Sequence, residues 1–160
     1  MNRIKIVSRL GALLPVVAML LLPLPGHGQQ AVRFERAELS IETKSGEVFE
    51  FKIELAESGA QKARGLMFRR EMAADAGMLF LHRRDKVLTM WMANTFLPLD
   101  MLFIAANGRI VTIEENTIPQ SREIISSREK VRAVLELNAG TARDLGIAVG
   151  DRVIYEAFGQ

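Results

Sequence analysis

Cysteine is missing from all 160 residues, which excludes disulfides, thiolate zinc sites, a cysteine nucleophile and a lipidated cysteine anchor. Whatever holds the chain together does so by packing. Aromatic anchors are few, with one tryptophan, Trp91, and one tyrosine, Tyr155. Histidine is limited to His27 and His82, so the serines at 121, 126 and 127 have little support for a nucleophilic triad. An uncleaved membrane anchor is the disfavoured alternative for the one long apolar run. The apolar stretch 10–24 is shorter than the roughly 20 residues a spanning helix needs, and it contains Pro15.

That stretch follows Arg3, Lys5 and Arg9 and is broken by Pro23, Pro25 and Gly26, the layout of a secretory signal peptide. Cleavage is expected near Gly28, leaving 29–160 as a single domain in the periplasm or outside the cell. Removing the leader takes three basic residues from the 21 present and none of the 19 acidic ones, leaving 18 against 19. A near-neutral domain offers no electrostatic footprint for nucleic acid. After cleavage no membrane span remains, and a monomer is expected.

Alternation sets the fold class. Leu39, Ile41 and Thr43 lead through Lys44-Ser45-Gly46 into Phe49, Phe51, Ile53 and Leu55, a hairpin with one wet face and one buried face. Ser58 and Gln61 have capping-box spacing and start a short helix running to about Met67, with Ala63, Leu66 and Met67 as its apolar stripe. Segment 78–81 reads as a strand, 82–86 as a charged turn, and 87–92 as the next strand. Segment 99–105 is apolar on both faces, and Asn107-Gly108 is a strong hairpin signal. A long surface loop is expected over 118–130, then a strand over 131–138, a short helix from Thr141 closed by Gly146, and a last strand over 152–158. The expected architecture is mainly β: a β-sandwich or distorted barrel of about eight short strands with two short helices.

Five ordered motifs resemble one family. They are Arg64-Gly-Leu-Met67-Phe-Arg, Gly77-Met-Leu-Phe80, Trp91-Met-Ala-Asn94-Thr95 with Pro98-Leu-Asp100, Leu135-Glu-Leu-Asn-Ala-Gly140, and Leu145-Gly-Ile147 with Gly150-Asp151. Together, over about residues 39–153, they are similar to the prokaryotic domain of unknown function 192. The resemblance implies a mainly-β domain with short helices, and it implies no reaction.

Candidate site residues centre on segment 89–104. Asp100 is an acid inside an apolar strand, and a buried carboxylate needs a partner; Arg64 and the Asn94-Thr95 loop are the candidates. Trp91, Asn94 and Thr95 have the makings of a shallow pocket with a stacking wall and convergent hydrogen bonds, or of a core tryptophan backed by a turn. Glu136 shares a strand face with Arg132, Val134 and Asn138, which reads as solvated. The ligand-binding candidates are therefore Arg64, Trp91, Asn94, Thr95, Asp100 and Glu136, holding a small molecule or a short segment of a partner. Two other classes compete. One is a hydrolase of envelope polymers with Asp100 as general acid or base, paired with Glu114, Glu115 or Glu136. The other is a copper-handling protein using Met67, Met72, Met78, Met90, Met92 and Met101, although methionine at such spacing also fills cores. Neither a cofactor nor a metal is expected under the binding-module reading.

Overall fold

A computed structural model describes residues 32–159; the expected signal segment and cleavage point lie outside them. The first hairpin joins β1 (Glu35–Glu42) to β2 (Val48–Ala56), and Gly46 takes the left-handed conformation that its turn requires, φ 89°. Helix α1 (Gly59–Arg64) starts on the capping box: the Ser58 side chain accepts from the Gln61 N–H, and the Gln61 side chain accepts from the Ser58 N–H. It ends at Arg64, capped by Gly65 with φ 46°, three residues earlier than the pattern predicts. The apolar stripe is also reduced, since of Ala63, Leu66 and Met67 only Leu66 is buried.

α1 returns the chain to β3 (Ala76–Met90), which runs parallel to β2. β3 is one long strand. The charged segment 82–86, expected to be a turn, lies inside it as an irregularity where the register against β6 shifts between Leu81 and Lys86. A run of five charged or imidazole side chains, His82 to Lys86, can occupy a strand whose flanks face solvent, and here Arg83 to Lys86 are exposed. β4 (Leu99–Ile104) and β5 (Ile110–Glu114) form the Asn107-Gly108 hairpin. β6 (Ile125–Asn138) is longer than expected, so the surface loop before it spans 115–124 rather than 118–130. α2 (Thr141–Asp144) and β7 (Arg152–Ile154) complete the chain, with β7 shorter than the predicted last strand.

The seven strands lie in the order β5-β4-β6-β3-β2-β1-β7. β5 and β7 are its two edges, and they meet: the Ile110 N–H donates to the Asp151 carbonyl at 2.8 Å and the Val153 N–H to the Gly108 carbonyl at 2.8 Å. The sheet is therefore a nearly closed barrel, a form that leaves little edge for another chain to pair with. Mainly β with two short helices is the expected class, realised with seven strands rather than eight.

Two apolar cores follow from the alternation. Leu39, Ile41, Phe51, Ile53, Leu79, Leu102, Ile104, Leu135 and Leu137 fill the barrel. The intervening residues of β3, β6 and β4, including Met78, Phe80, Val134, Leu99, Met101 and Phe103, form a second cluster with Leu66 and Met92. This outer cluster is roofed by the segments that follow α1 and β3. Burial of each of these large side chains is worth about 1.5–3 kcal/mol, so the roof is held down by the same term that holds the barrel. Between roof and barrel wall the candidate site opens.

Candidate functional site

Trp91 leaves the end of β3 and is 52% exposed, so it is a wall and not a core residue. Its indole borders a cleft of about 220 Å³, whose lining includes Arg64, Leu66, Phe80, Leu88, Thr95 and Glu136, with Lys62, His82 and Lys86 nearer the outside. Of the six residues singled out from the sequence, Arg64, Trp91, Thr95 and Glu136 come together here; Asn94 and Asp100 do not line it.

The roof is built with strain. Gly65, Phe68 and Asn94 all have left-handed backbones, φ 46°, 67° and 57°, and the Phe68 N–H donates to the Asn94 carbonyl at 2.8 Å. A phenylalanine in this region costs on the order of 1 kcal/mol. At Gly65 a side chain is also blocked by the Phe80 ring, 3.0 Å from where a Cβ would sit. The segment 65–68 is thereby bent over the outer core, carrying Arg64 to the cleft with its guanidinium 4.8 Å from the Phe68 ring centroid. The Asn94 amide is 3.9 Å from the Met67 sulfur, outside the cleft.

Glu136 is the residue the sequence reading places wrongly. It is 4% exposed, not solvated, because β6 is the central strand and its second face lies under the roof. Met78 of β3 and Met101 of β4 are its register partners on either side, and both are fully buried. Neither can hydrogen-bond a carboxylate in any useful way. No hydrogen bond or ion pair reaches the Glu136 carboxyl among the described residues, and burial alone pushes it up to about 8. It sits at the base of the cleft as an acid that is largely protonated at neutral pH.

The outer part of the cleft is cationic. Lys62 and Arg64 come from α1, Lys86 from β3. Burial lowers the Lys62 ammonium first, Lys86 second. His82, between them, is held at about 4 by burial and then by Lys62 and Lys86, so its imidazole is neutral at pH 7. Sequence reasoning missed Lys62, His82 and Lys86, and the signal available was weak: three basic-type residues at 62, 82 and 86 meet only because β3 continues through the segment that looks like a turn.

Asp100 is elsewhere. It is fully buried, on the barrel-facing side of β4, and neither Arg64 nor the Asn94-Thr95 loop is its partner. One carboxylate oxygen accepts the Asn116 N–H at 2.9 Å and the other the Ala142 N–H at 2.9 Å. The side chain thus ties the β5 exit and the start of α2 to the barrel end. Asp151 does the same at the opposite seam, accepting the Lys44 and Ala148 N–H groups at 3.0 and 2.7 Å. Charge-assisted bonds to backbone N–H groups are strong ones, and they explain how two acids are buried without a cation.

The methionines divide similarly. Met78, Met92 and Met101 are buried in the outer core, and Met72 and Met90 pack against it; the Met92 sulfur accepts from the Thr117 hydroxyl at 3.2 Å. Larger surface concavities of about 650 and 490 Å³ border Tyr155 and Arg132, but none of the buried polar side chains lines them. Among the described residues no helix is long and apolar enough to cross a membrane.

The DUF192 family, described as an uncharacterized ACR, matches residues 40–155. A proposed transcription regulator from Sinorhizobium meliloti 1021 has a similar structure, with TM-score 0.76 and 50% identity over 77% of this chain and 95% of that one. So does a protein of unknown function from Novosphingobium aromaticivorans DSM 12444, with TM-score 0.72 and 34% identity over 78% of this chain and 94% of that one. No curated protein matches the chain.

Proposed function

Because the chain belongs to the DUF192 family, for which no reaction is established, its role has to be argued from its own site, and we propose that it is an exported module that binds a small molecule in the cleft beside Trp91. The observation that carries this reading is the unpartnered carboxyl of Glu136 at the base of a cleft walled by an exposed indole. Burying most of an acid with no protein hydrogen bond is costly, its oxygens remain open only to the cleft, and a strongly perturbed group in a cleft is a candidate for a functional site. Arg64 and Thr95 supply further polar contacts, and the strained roof over 65–68 holds them in place. The cleft's 220 Å³ falls below the roughly 300–1,000 Å³ of drug-sized pockets, which suits a compact ligand and not a polymer strand.

The hydrolase reading loses its acid. Asp100 is 0% exposed and both its oxygens are occupied by backbone donors, whereas a general acid must reach a substrate proton. The description of the Sinorhizobium relative as a regulator names no ligand, and α1 and α2, at six and four residues, are too short to fill a major groove. Export rests on the leader sequence, and N-terminal sequencing of the protein recovered from the cell envelope tests it: a start near residue 29 supports export, and an intact Met1 in the cytoplasm removes it.

The cleft is tested through its own reporter. Trp91 is the chain's one tryptophan, so acrylamide quenching reads this site alone. Free protein should quench readily, and one or more members of a panel of amino acids, organic acids, sugars and sugar phosphates should shift the emission and reduce quenching. If the indole resists acrylamide, or if no member of the panel alters either signal, the cleft is not a binding site.

A further inference from the structure

The cleft has opposite electrostatic characters at its two ends. Its base offers one carboxyl, and the groups that flank it on the neighbouring strands, Met78 and Met101, bring no charge. Its outer lining brings Lys62 and Arg64 from α1 and Lys86 from β3, with His82 between them and Trp91 beside them. None of Lys62, Arg64, His82 and Lys86 is in an ion pair among the described residues; the Lys62 ammonium donates to the Glu57 carbonyl at 2.6 Å, and no carboxylate neutralises the rim. An anion alone would satisfy the rim and leave the acid buried and unpartnered. A cation alone would pair with the acid but pass three positive side chains to reach it. A neutral sugar could bond to the acid and would leave the rim unused.

Resting on the proposed binding role of this cleft, we infer that its ligand is a small zwitterion: an ammonium seated against Glu136 at the base, and an anionic group held at the rim by Lys62, Arg64 and Lys86, beside Trp91. Each half answers one observation. The ammonium supplies the donors that the Glu136 carboxylate lacks. The anion is met by a guanidinium and two ammoniums, groups suited to carboxylate or phosphate. A cleft of about 220 Å³ suits a small zwitterion such as an amino acid or a phosphorylated amino alcohol.

Such a ligand has a signature that the other classes lack. The ammonium requires Glu136 to be ionised, and burial holds that carboxyl protonated up to about pH 8. Binding at neutral pH therefore expels the Glu136 proton to solvent. By linkage the affinity should rise about tenfold per pH unit up to about pH 8 and then level off. An anion bound only at the rim makes no call on the Glu136 carboxyl, so its binding releases no proton from that group.

The experiment is a matched panel of glycine, β-alanine, 4-aminobutyrate and phosphoethanolamine, with butyrate and butylamine as single-charge controls. Trp91 fluorescence and calorimetry are recorded from pH 6 to 8.5. At least one zwitterion should bind ten or more times tighter than both controls, with affinity climbing with pH and close to one proton released per ligand at pH 7. The release is read from the dependence of the heat on buffer ionisation enthalpy. Glu136→Gln, checked by thermal melting, should reduce that zwitterion to the level of butyrate and abolish the proton release. Butyrate binding as tightly as every zwitterion would overturn the inference while leaving the cleft a binding site. Butylamine binding as tightly would do the same, with the rim cations then idle. Silence from all six overturns the inference as well, and the broader panel of the preceding section then decides whether the cleft binds anything.

Discussion

Replacing Glu136 by glutamine should make the protein more stable, by an amount that depends on pH in a defined way. The carboxyl titrates near 4.5 when the chain is unfolded and near 8 when folded. Between those two values the native state binds a proton that the unfolded state has released, so stability falls as pH rises. Each pH unit in the window costs about 1.4 kcal/mol. Spread over the interval from 4.5 to 8, the loss is about 3 kcal/mol by pH 7 and approaches 5 kcal/mol above pH 8, to be set against total stabilities of about 5–15 kcal/mol. Glutamine keeps the shape and does not titrate. Urea unfolding of both proteins at pH 5, 6, 7, 8 and 9 isolates the effect, because any constant difference between acid and amide, and the titration of every other group, drops out of the change in their difference with pH. The variant should gain on the parent by more than 2 kcal/mol between pH 5 and pH 8 and no further above it. Curves that stay parallel across that range would refute the reasoning and mean that the acid is solvated or paired in the folded protein.

Three further outcomes are expected. His82, held at about 4 by burial and by Lys62 and Lys86, should show an NMR titration midpoint well below the usual 6.5; since its folded value is depressed, its contribution to stability is present above the unfolded value and lost as pH falls from about 6.5 toward 4, and a midpoint near 6.5 would place the ring in solvent. Asp100→Ala removes the acceptor of two backbone N–H groups at 2.9 Å, for which about 1.5–3 kcal/mol each is typical, so denaturant unfolding should register a loss of about 3–6 kcal/mol, and a loss below about 1 kcal/mol would show that the loops do not depend on it. Gly77→Ala places a Cβ 2.7 Å from the Glu136 carbonyl oxygen and 2.7 Å from a Leu137 methyl, and forcing β3 from β6 should lower the melting temperature by several degrees at least, at a typical overpacking cost of about 1–3 kcal/mol; an unchanged melting curve would mean the two strands are not in this register.

What could be read from the sequence was whatever is periodic over a few residues. The β1–β2 hairpin, the capping box of α1, the Asn107-Gly108 turn and the glycine after α2 are each set by neighbours in the chain, and each is found where its residues place it. The errors lie where a distant element decides. Residues 82–86 look like a turn by composition, yet β6 pairs with the chain on both sides of them and keeps them in β3. Glu136 looks solvated because its strand alternates, yet Met78, Phe80, Leu99, Met101 and Phe103 show that the flanking strands are apolar on this face too. A strand lying between two such neighbours has no wet side. Asp100 was rightly suspected of needing partners, but they are backbone N–H groups of Asn116 and Ala142, 16 and 42 residues away, and no side-chain pattern announces a backbone donor.

The two buried acids on neighbouring strands can be weighed against each other. Asp100 and Glu136 are both at most 4% exposed, and β4 and β6 are paired directly. Asp100 has both oxygens satisfied, so its burial ties two loops to the barrel and its removal should hurt. Glu136 has neither satisfied among the described residues, so its burial opposes folding and its removal should help. A core position flanked by Met78 and Met101 would accept methionine or leucine with a gain in stability. The fold therefore has no use for the acid, whereas a ligand of the proposed kind, bringing a donor into the cleft, would supply the missing partner and recover the energy that burial costs. Stabilisation lost at a site and returned on binding is the trade expected where function, not folding, sets the residue.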